Sequence, residues 1–229
     1  MIEHRGREYE VIQSSRKTFS IILDRNGRFI IRCPHDTTEQ ELHTLLDQKL
    51  EWIERKSIEW EEIEKNRSDE DDLLSIKYLG RRWGLQESQN VDAITFANGH
   101  IHVPNGYLQL RKEERKKQIR AFFTKRGYLK IPSMVKKSAV DLGVEIPKTQ
   151  VLDLGFRWGS CSQNMTVNFH WKCMTLPSNI VQYIVSHEVA HLIVPDHSKR
   201  FWRVLEKASP DFEAHEKWLK DKGINFDLY

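Results

Sequence analysis

Cysteine is scarce in this chain of 229 residues: Cys33, Cys161 and Cys173 are the only three. Their number and scatter exclude a disulfide framework. No uninterrupted apolar stretch approaches the ~18 residues of a membrane span. The first residues, Met1 to Glu8, lack the apolar core of a signal peptide. Internal repeats and low-complexity tracts are also missing. Net charge is small, with 36 basic against 33 acidic residues and a formal +3. A cationic nucleic-acid glove is therefore not a description of the whole chain. These absences lead to the expectation of a cytoplasmic protein without a membrane partner. What is present, 39 % apolar residues over this length, suffices for one mid-sized domain or a domain carrying a smaller module.

Charge is unevenly spread along that length. Residues 39–72 hold 13 acidic and 5 basic side chains, and residues 111–137 hold 11 basic and 2 acidic. The near-neutral total is a cancellation. Ile21-Ile22-Leu23 and Phe29-Ile30-Ile31 flank Asn26-Gly27, a hairpin signal. Thr38-x-x-Glu41 is a capping box opening a helix predicted to run to about Asn66, with Leu42, Leu45, Leu46, Leu50 and Ile53 at helical spacing. The polar stretch Asn66–Asp72 is the best candidate boundary. It divides the chain into an amino-terminal module, residues 1–70, and a larger domain, residues 71–229. In the latter, short strands with turns at Asn98-Gly99 and Pro104-Asn105-Gly106 lead into a helical run from Arg111 to Leu142. Gly143 closes that run, and Pro132 is expected to kink it or to open a new helix. Strands are predicted near Gln150–Leu154 and Met165–Trp171. Helices then follow, from Pro177 or Ser178 to about Val194, after Ser198, and from Ser209-Pro210.

The chemistry concentrates in one of those helices. Of ten histidines, three fall within eleven residues, in His187-Glu188-Val189-Ala190-His191 and then His197. Histidines four apart lie one turn apart on one helix face, so both imidazoles can reach one ion. Glu188 projects close to that ion without needing to ligate it, placed to take a proton from an attacking water. Pro195 should end the helix and turn the chain back, letting His197 complete a three-histidine site with an open fourth position. Three imidazoles in tetrahedral geometry favour zinc, Zn2+, at one ion per chain. Chance would give His-Glu-x-x-His roughly 0.04 times in a chain of this composition. The third ligand has rivals: Glu206, Glu213 and Glu216 would serve if it were a carboxylate on a later helix, as in gluzincin peptidases. The His spacing equals that of metzincins, but Val194 stands where they have Gly, and no methionine follows Met174 to make their Met-turn.

Flanking residues narrow the family. Arg157-Trp158-Gly159-Ser160-Cys161, then Trp171, then the histidine motif continuing to Ser198, Phe201 and Trp202, closely resembles the YgjP-like metallopeptidase family, which is related to SprT-like and WLM-type zincins. Upstream, Arg16-Lys17-Thr18 with Ser20-Ile21, and Tyr78-Leu79-Gly80-Arg81-Arg82, are similar to the family's amino-terminal pattern, so the resemblance spans about residues 14–222. It implies an α+β fold: a compact zincin-like metallopeptidase domain, a small sheet with active-site helices, preceded by a β-rich portion with a long helix. It also implies zinc on His187, His191 and His197, with Glu188 as general base. Phe156 stands where the family usually has Ser, and His170-Trp171-Lys172 where its strand commonly reads Asn-Trp-Arg. Both departures bear on substrate preference.

Other residues carry two readings each. Trp158 is expected as a core anchor and Gly159 as a tight bend, whereas Arg157 or Ser160 could line the cleft and hold a substrate carbonyl or carboxylate. His170 could face the cleft, or be a half-buried strand histidine. Cys161 and Cys173, on consecutive predicted strands, read as free thiols. Phe201 and Trp202 read as packing residues of the helix that positions His197. The 111–137 segment is either a solvated helix face or a track for a nucleic-acid backbone. The expectation is a zinc-dependent hydrolase cleaving peptide or protein substrates. The alternatives are a metal-dependent hydrolase of a phosphate-containing small molecule such as a nucleotide, or a nucleic-acid-associated protease or binding module.

Overall fold

The computed structural model describes residues 1–24, 27–65, 74–155, 157–162 and 164–226. Asn26 of the expected hairpin turn, the 66–72 linker, Phe156 and Gln163 lie outside the described residues. Contacts divide the chain into two compact units, Met1–Ser68 and Asp69–Tyr229. The architecture is α+β, with several small sheets and helices.

In the first unit, β1 (Ile2–His4), β2 (Arg7–Ser14), β3 (Ser20–Leu23) and β4 (Phe29–Pro34) form one sheet in the order β1-β2-β4-β3. β3 and β4 pair antiparallel, as the flanking apolar runs predict, while β2 and β4 run parallel. The capping box forms as read: Thr38 Oγ1 accepts from the Glu41 N–H at 3.3 Å, and Glu41 Oε2 accepts from the Thr38 N–H at 2.8 Å. The single long helix does not. It is two, α1 (Glu39–Gln48) and α2 (Leu50–Lys65), separated at Lys49, whose N–H is shared between the Leu45 and Leu46 carbonyls. That tightened turn ends α1 while Leu42, Leu46 and Ile53 stay in one core with Tyr9, Phe29 and Ile31.

Among the described residues the second unit carries two sheets. β5 (Ser75–Tyr78), β6 (Arg81–Ser88), β7 (Thr95–Ala97) and β8 (His100–Pro104) are ordered β5-β6-β8-β7. The β7–β8 turn is the expected Asn98-Gly99, both in the left-handed region. β9 (Lys148–Leu152), β10 (Gly159–Ser162) and β11 (Thr166–His170) are ordered β10-β11-β9, so β10 lies at an edge. Between the sheets in sequence runs α3 (Lys112–Leu142), one helix of 31 residues that passes through Pro132 and ends at Gly143 with φ 67. Pro132 neither breaks nor restarts it. The residue is itself exposed, although Ile131 and Val135 beside it are buried, so water can satisfy the carbonyl that loses its partner.

α4 (Ser178–Ala190) is buried nearly all round, through Ile180, Val181, Ile184, Val185 and Val189. A helix apolar on most faces belongs at the centre of a domain. α3 holds it from behind through Ser138 Oγ and Ser186 Oγ at 2.9 Å, with Gln182 Nε2 donating to Ser138 at 2.9 Å. α4 ends at Ala190, four residues short of the predicted Val194. α5 (Lys199–Ala208) follows with Ser198 at its N-cap, though without a side-chain cap bond. α6 (Phe212–Lys222) begins after Asp211, two residues beyond the predicted Ser209-Pro210 start. Cys173 sits in a 3-10 turn, Trp171–Thr175, rather than on a strand.

Candidate metal centre

Helical periodicity puts the His187 and His191 rings 4.9 Å apart. His191 is the C-cap of α4, and the chain continues in tight turns through Leu192, Ile193 and Val194. These turns bring the Val194 carbonyl back to accept from His191 Nδ1 at 3.0 Å. A carbonyl only accepts, so Nδ1 carries the proton and the Nε2 lone pair is left for a ligand. Backing of this kind orients metal-binding imidazoles. Past Pro195, His197 returns to lie 4.7 Å from the His191 ring and 5.0 Å from the His187 ring, with Nε2 of His187 and His197 at 3.0 Å. One nitrogen from each of the three lies within 4.8 Å of the others.

Beneath them is Phe201. Its ring, fully buried at the start of α5, is 4.8 Å from His187, 4.5 Å from His191 in a stacked arrangement, and 4.9 Å from His197. One side chain thus touches all three imidazoles. His187 Nδ1 is buried with no hydrogen-bond partner among the described residues, so rings rather than polar groups hold this imidazole in place. Burial pushes its pKa down to about 3, helped by the charges of His191 and His197. Burial also lowers His191, which the Val194 bond partly counters. Three imidazole nitrogens converging on one point are a donor set that fits a divalent ion. Two Nε2 atoms at 3.0 Å are close to the ~3.3 Å edge of a tetrahedron built on zinc–nitrogen bonds. Glu206, Glu213 and Glu216 do not join the cluster, and Glu216 instead pairs with Lys220 at 2.8 Å.

Glu188 is 8 % exposed, and burial raises its pKa to about 7 against the opposing charge of Arg157. Its carboxyl lies over the start of β10, where a Cβ on Gly159 would stand 2.6 Å from Glu188 Cγ and 2.7 Å from Oε1. Gly159 is therefore not the tight bend expected of it. It is a strand residue whose missing side chain is the space that the Glu188 carboxyl occupies. The three histidines and Glu188 line a pocket of about 580 Å³ together with Arg157 and Ser160. Cys161, Met165, Leu192 and Pro195 line it too, residues to which the sequence reading assigned no place there. Burial, with the Glu188 charge, raises the Cys161 thiol, which stays protonated.

His170 is elsewhere. It is 1 % exposed, accepts from the Lys172 N–H through Nδ1 at 3.0 Å and bonds Asp153 Oδ1 through Nε2 at 3.2 Å. Both ring nitrogens are engaged inside the fold, which corrects the cleft-facing reading.

Residues 17–222 match the YgjP-like metallopeptidase domain. The chain belongs to the YgjP-like family. The match takes in both the amino-terminal pattern and the histidine motif of this YgjP-like protein, and makes it a metallopeptidase-family member. No curated protein matches the sequence. Among solved structures, one described as the metallopeptidase zymogen of Pyrococcus abyssi abylysin aligns with TM-score 0.35 and 23 % identity, over 40 % of this chain and 93 % of that one.

Proposed function

We propose that this YgjP-like protein is a zinc-dependent peptidase in which His187, His191 and His197 would hold the ion and Glu188 acts as general base. The observation that carries the reading is convergence: three imidazole nitrogens and one carboxylate, from two neighbouring stretches of chain, face a single pocket. Zinc, when bound, supplies Lewis acidity toward a carbonyl oxygen and toward water. The protein's own residues do the rest. Glu188, held against the bare backbone of Gly159, accepts a proton from the attacking water and delivers it to the leaving amide nitrogen. Arg157 and Ser160, on the pocket wall at β10, would contact the substrate's carbonyl or carboxylate groups. Phe201 keeps water and competing hydrogen bonds from the underside of the imidazoles.

Peptides or proteins are the substrates. Residues 71–229 would form the catalytic domain and residues 1–70 a separate module. The three cysteines are free, the state that a reducing cytoplasm maintains. E188Q tests the mechanism. Hydrolysis of a peptide library should be abolished while zinc content stays near one per chain, and a fully active variant would overturn it.

A further inference from the structure

A second pocket, of about 490 Å³, lies in the larger unit and shares no lining residue with the metal centre. The end of β5, the start of β6 and β7 form one side of it, and the middle of α3 forms the other. Three cations line it, Arg81, Arg126 and Lys130, and no carboxylate does. Three other basic residues of α3 pair with acids, Lys116 with Glu113 at 3.3 Å, Arg120 with Asp153 at 3.6 Å and Lys137 with Asp141 at 2.7 Å.

Arg126 is the built part of this pocket. Its Nε donates to the Tyr78 hydroxyl at 2.9 Å, and its guanidinium carbon lies 5.3 Å from the Tyr78 ring centre and 5.6 Å from that of Phe96. Anchored by one nitrogen and bracketed by two rings, the group has lost most of its freedom. Its two terminal amino groups have no partner among the described residues. The aromatic wall is fixed as well: Trp83 Nε1 donates to the Tyr78 carbonyl at 3.1 Å, and the Trp83 ring meets Phe96 edge-on at 5.0 Å. Neither the Arg81 nor the Lys130 side chain has an ion pair or hydrogen bond among the described residues. Like charges gathered without an acid repel one another unless an anion enters. A carboxylate has two oxygens and is filled by one guanidinium fork. Two arginines and a lysine suit the three oxygens and double charge of a phosphate.

We propose that this pocket binds a phosphomonoester, with the phosphate held among Arg81, Arg126 and Lys130 and the organic group lying against Trp83 and Phe96. The site stands apart from the hydrolytic chemistry and does not depend on it. The test is calorimetric titration of the full chain with phenyl phosphate, inorganic phosphate and phenol, with and without a chelator.

Phenyl phosphate should bind more tightly than inorganic phosphate, because only it reaches the aromatic wall, and phenol should not bind. R81A/K130A, both on the solvent side, should weaken phosphate binding by about tenfold or more, the scale of lost charge-assisted hydrogen bonds. R126M should do the same, with circular dichroism confirming its fold. Absence of phosphate binding at millimolar concentration would overturn the proposal. So would equal affinity in wild type and R81A/K130A, or binding that disappears with the chelator and so belongs to a metal ion.

Discussion

Two clusters of the described residues bring imidazole rings within 5.0 Å of each other, and they do different things. In the amino-terminal unit His4 and His43 have ring centres 4.9 Å apart and Nδ1 atoms 2.7 Å apart. In the larger unit His187 and His197 are 5.0 Å apart, with Nε2 atoms at 3.0 Å. The distances barely differ, but the free lone pairs do. His4 Nε2 donates to Asp47 Oδ1 at 3.1 Å, a carboxylate that Arg5 also holds at 2.9 Å. Its remaining nitrogen bonds His43, so both ring nitrogens of His4 are used. The pair is a closed hydrogen-bonded link between β1 and α1. At the other place a third ring converges, the proton of His191 is tied up on a backbone carbonyl, and an aromatic floor replaces the carboxylate. Proximity of histidines is thus no sign of a metal centre. The direction of the free lone pairs is.

The sharpest way to break the comparison is to remove one ring from each cluster. H191A should lower zinc affinity by about 100-fold or more, beyond what altered supporting contacts produce, and peptidase activity should go with it. H43A should leave zinc content and activity unchanged and shift stability by only about 1 kcal/mol, the worth of one hydrogen bond. Zinc analysis of the purified variants decides. Loss of metal in H43A and retention in H191A would reverse the assignment of the two clusters.

G159A tests the role proposed for Glu188 apart from that proposed for the histidines. The added methyl group meets the Glu188 carboxyl at less than van der Waals distance, so the carboxyl must move. Activity should fall by about 100-fold, the lower range for loss of a general base, while zinc content is kept. A variant with normal turnover would show that Glu188 tolerates displacement and is no precise base. F201A acts on the floor: removing a buried ring destabilises by about 3–5 kcal/mol. It should also weaken zinc binding by about 10- to 100-fold through loosened imidazoles. Calorimetry of the apo form separates the two effects. Equal zinc affinity in F201A and wild type would reduce Phe201 to a core residue.

These tests follow the line between what was legible in the sequence and what was not. That His187, Glu188 and His191 share one pocket could be read because helical period brings residues so closely spaced together. The Thr38–Glu41 box, the β3–β4 pairing and the Gly143 cap could be read because each is local. His197 was legible from its spacing and from Pro195, which was expected to turn the chain back. Its route back depends on the turns after Ala190, and the helix was expected to run on to Val194. Gly159 against Glu188 was invisible, because the contact joins an edge strand to a distant helix and a missing side chain leaves no pattern. His170 misled for a related reason. A histidine on a strand looks the same whether it faces a cleft or closes on Asp153, and tertiary packing made the choice. The break at Lys49 was hidden because Leu42, Leu46 and Ile53 enter one core, and apolar periodicity does not register a single tightened turn.

The smallest expected effect concerns a second histidine–carboxylate contact, His170 with Asp153. Burial raises the Asp153 pKa, but the Gly155 N–H at 2.9 Å, the His170 ring at 3.2 Å and the Arg120 guanidinium at 3.6 Å more than offset it. The carboxyl is held below its ordinary value of 3.8. A carboxyl with a depressed folded pKa binds fewer protons folded than unfolded, so unfolding takes up protons. Its stabilisation is fully present above the ordinary value and is lost as pH falls through the folded one. The side chain is nearly half exposed, so solvent screening keeps the contribution under about 1 kcal/mol. D153N should therefore lower the Tm at neutral pH, and the gap to wild type should close as the solution is acidified below the ordinary carboxyl range. A gap that stays constant through that range would mean that Asp153 acts as a hydrogen-bond acceptor whose charge is immaterial. It would then resemble the Val194 carbonyl beneath His191 more than Asp47 beside His4.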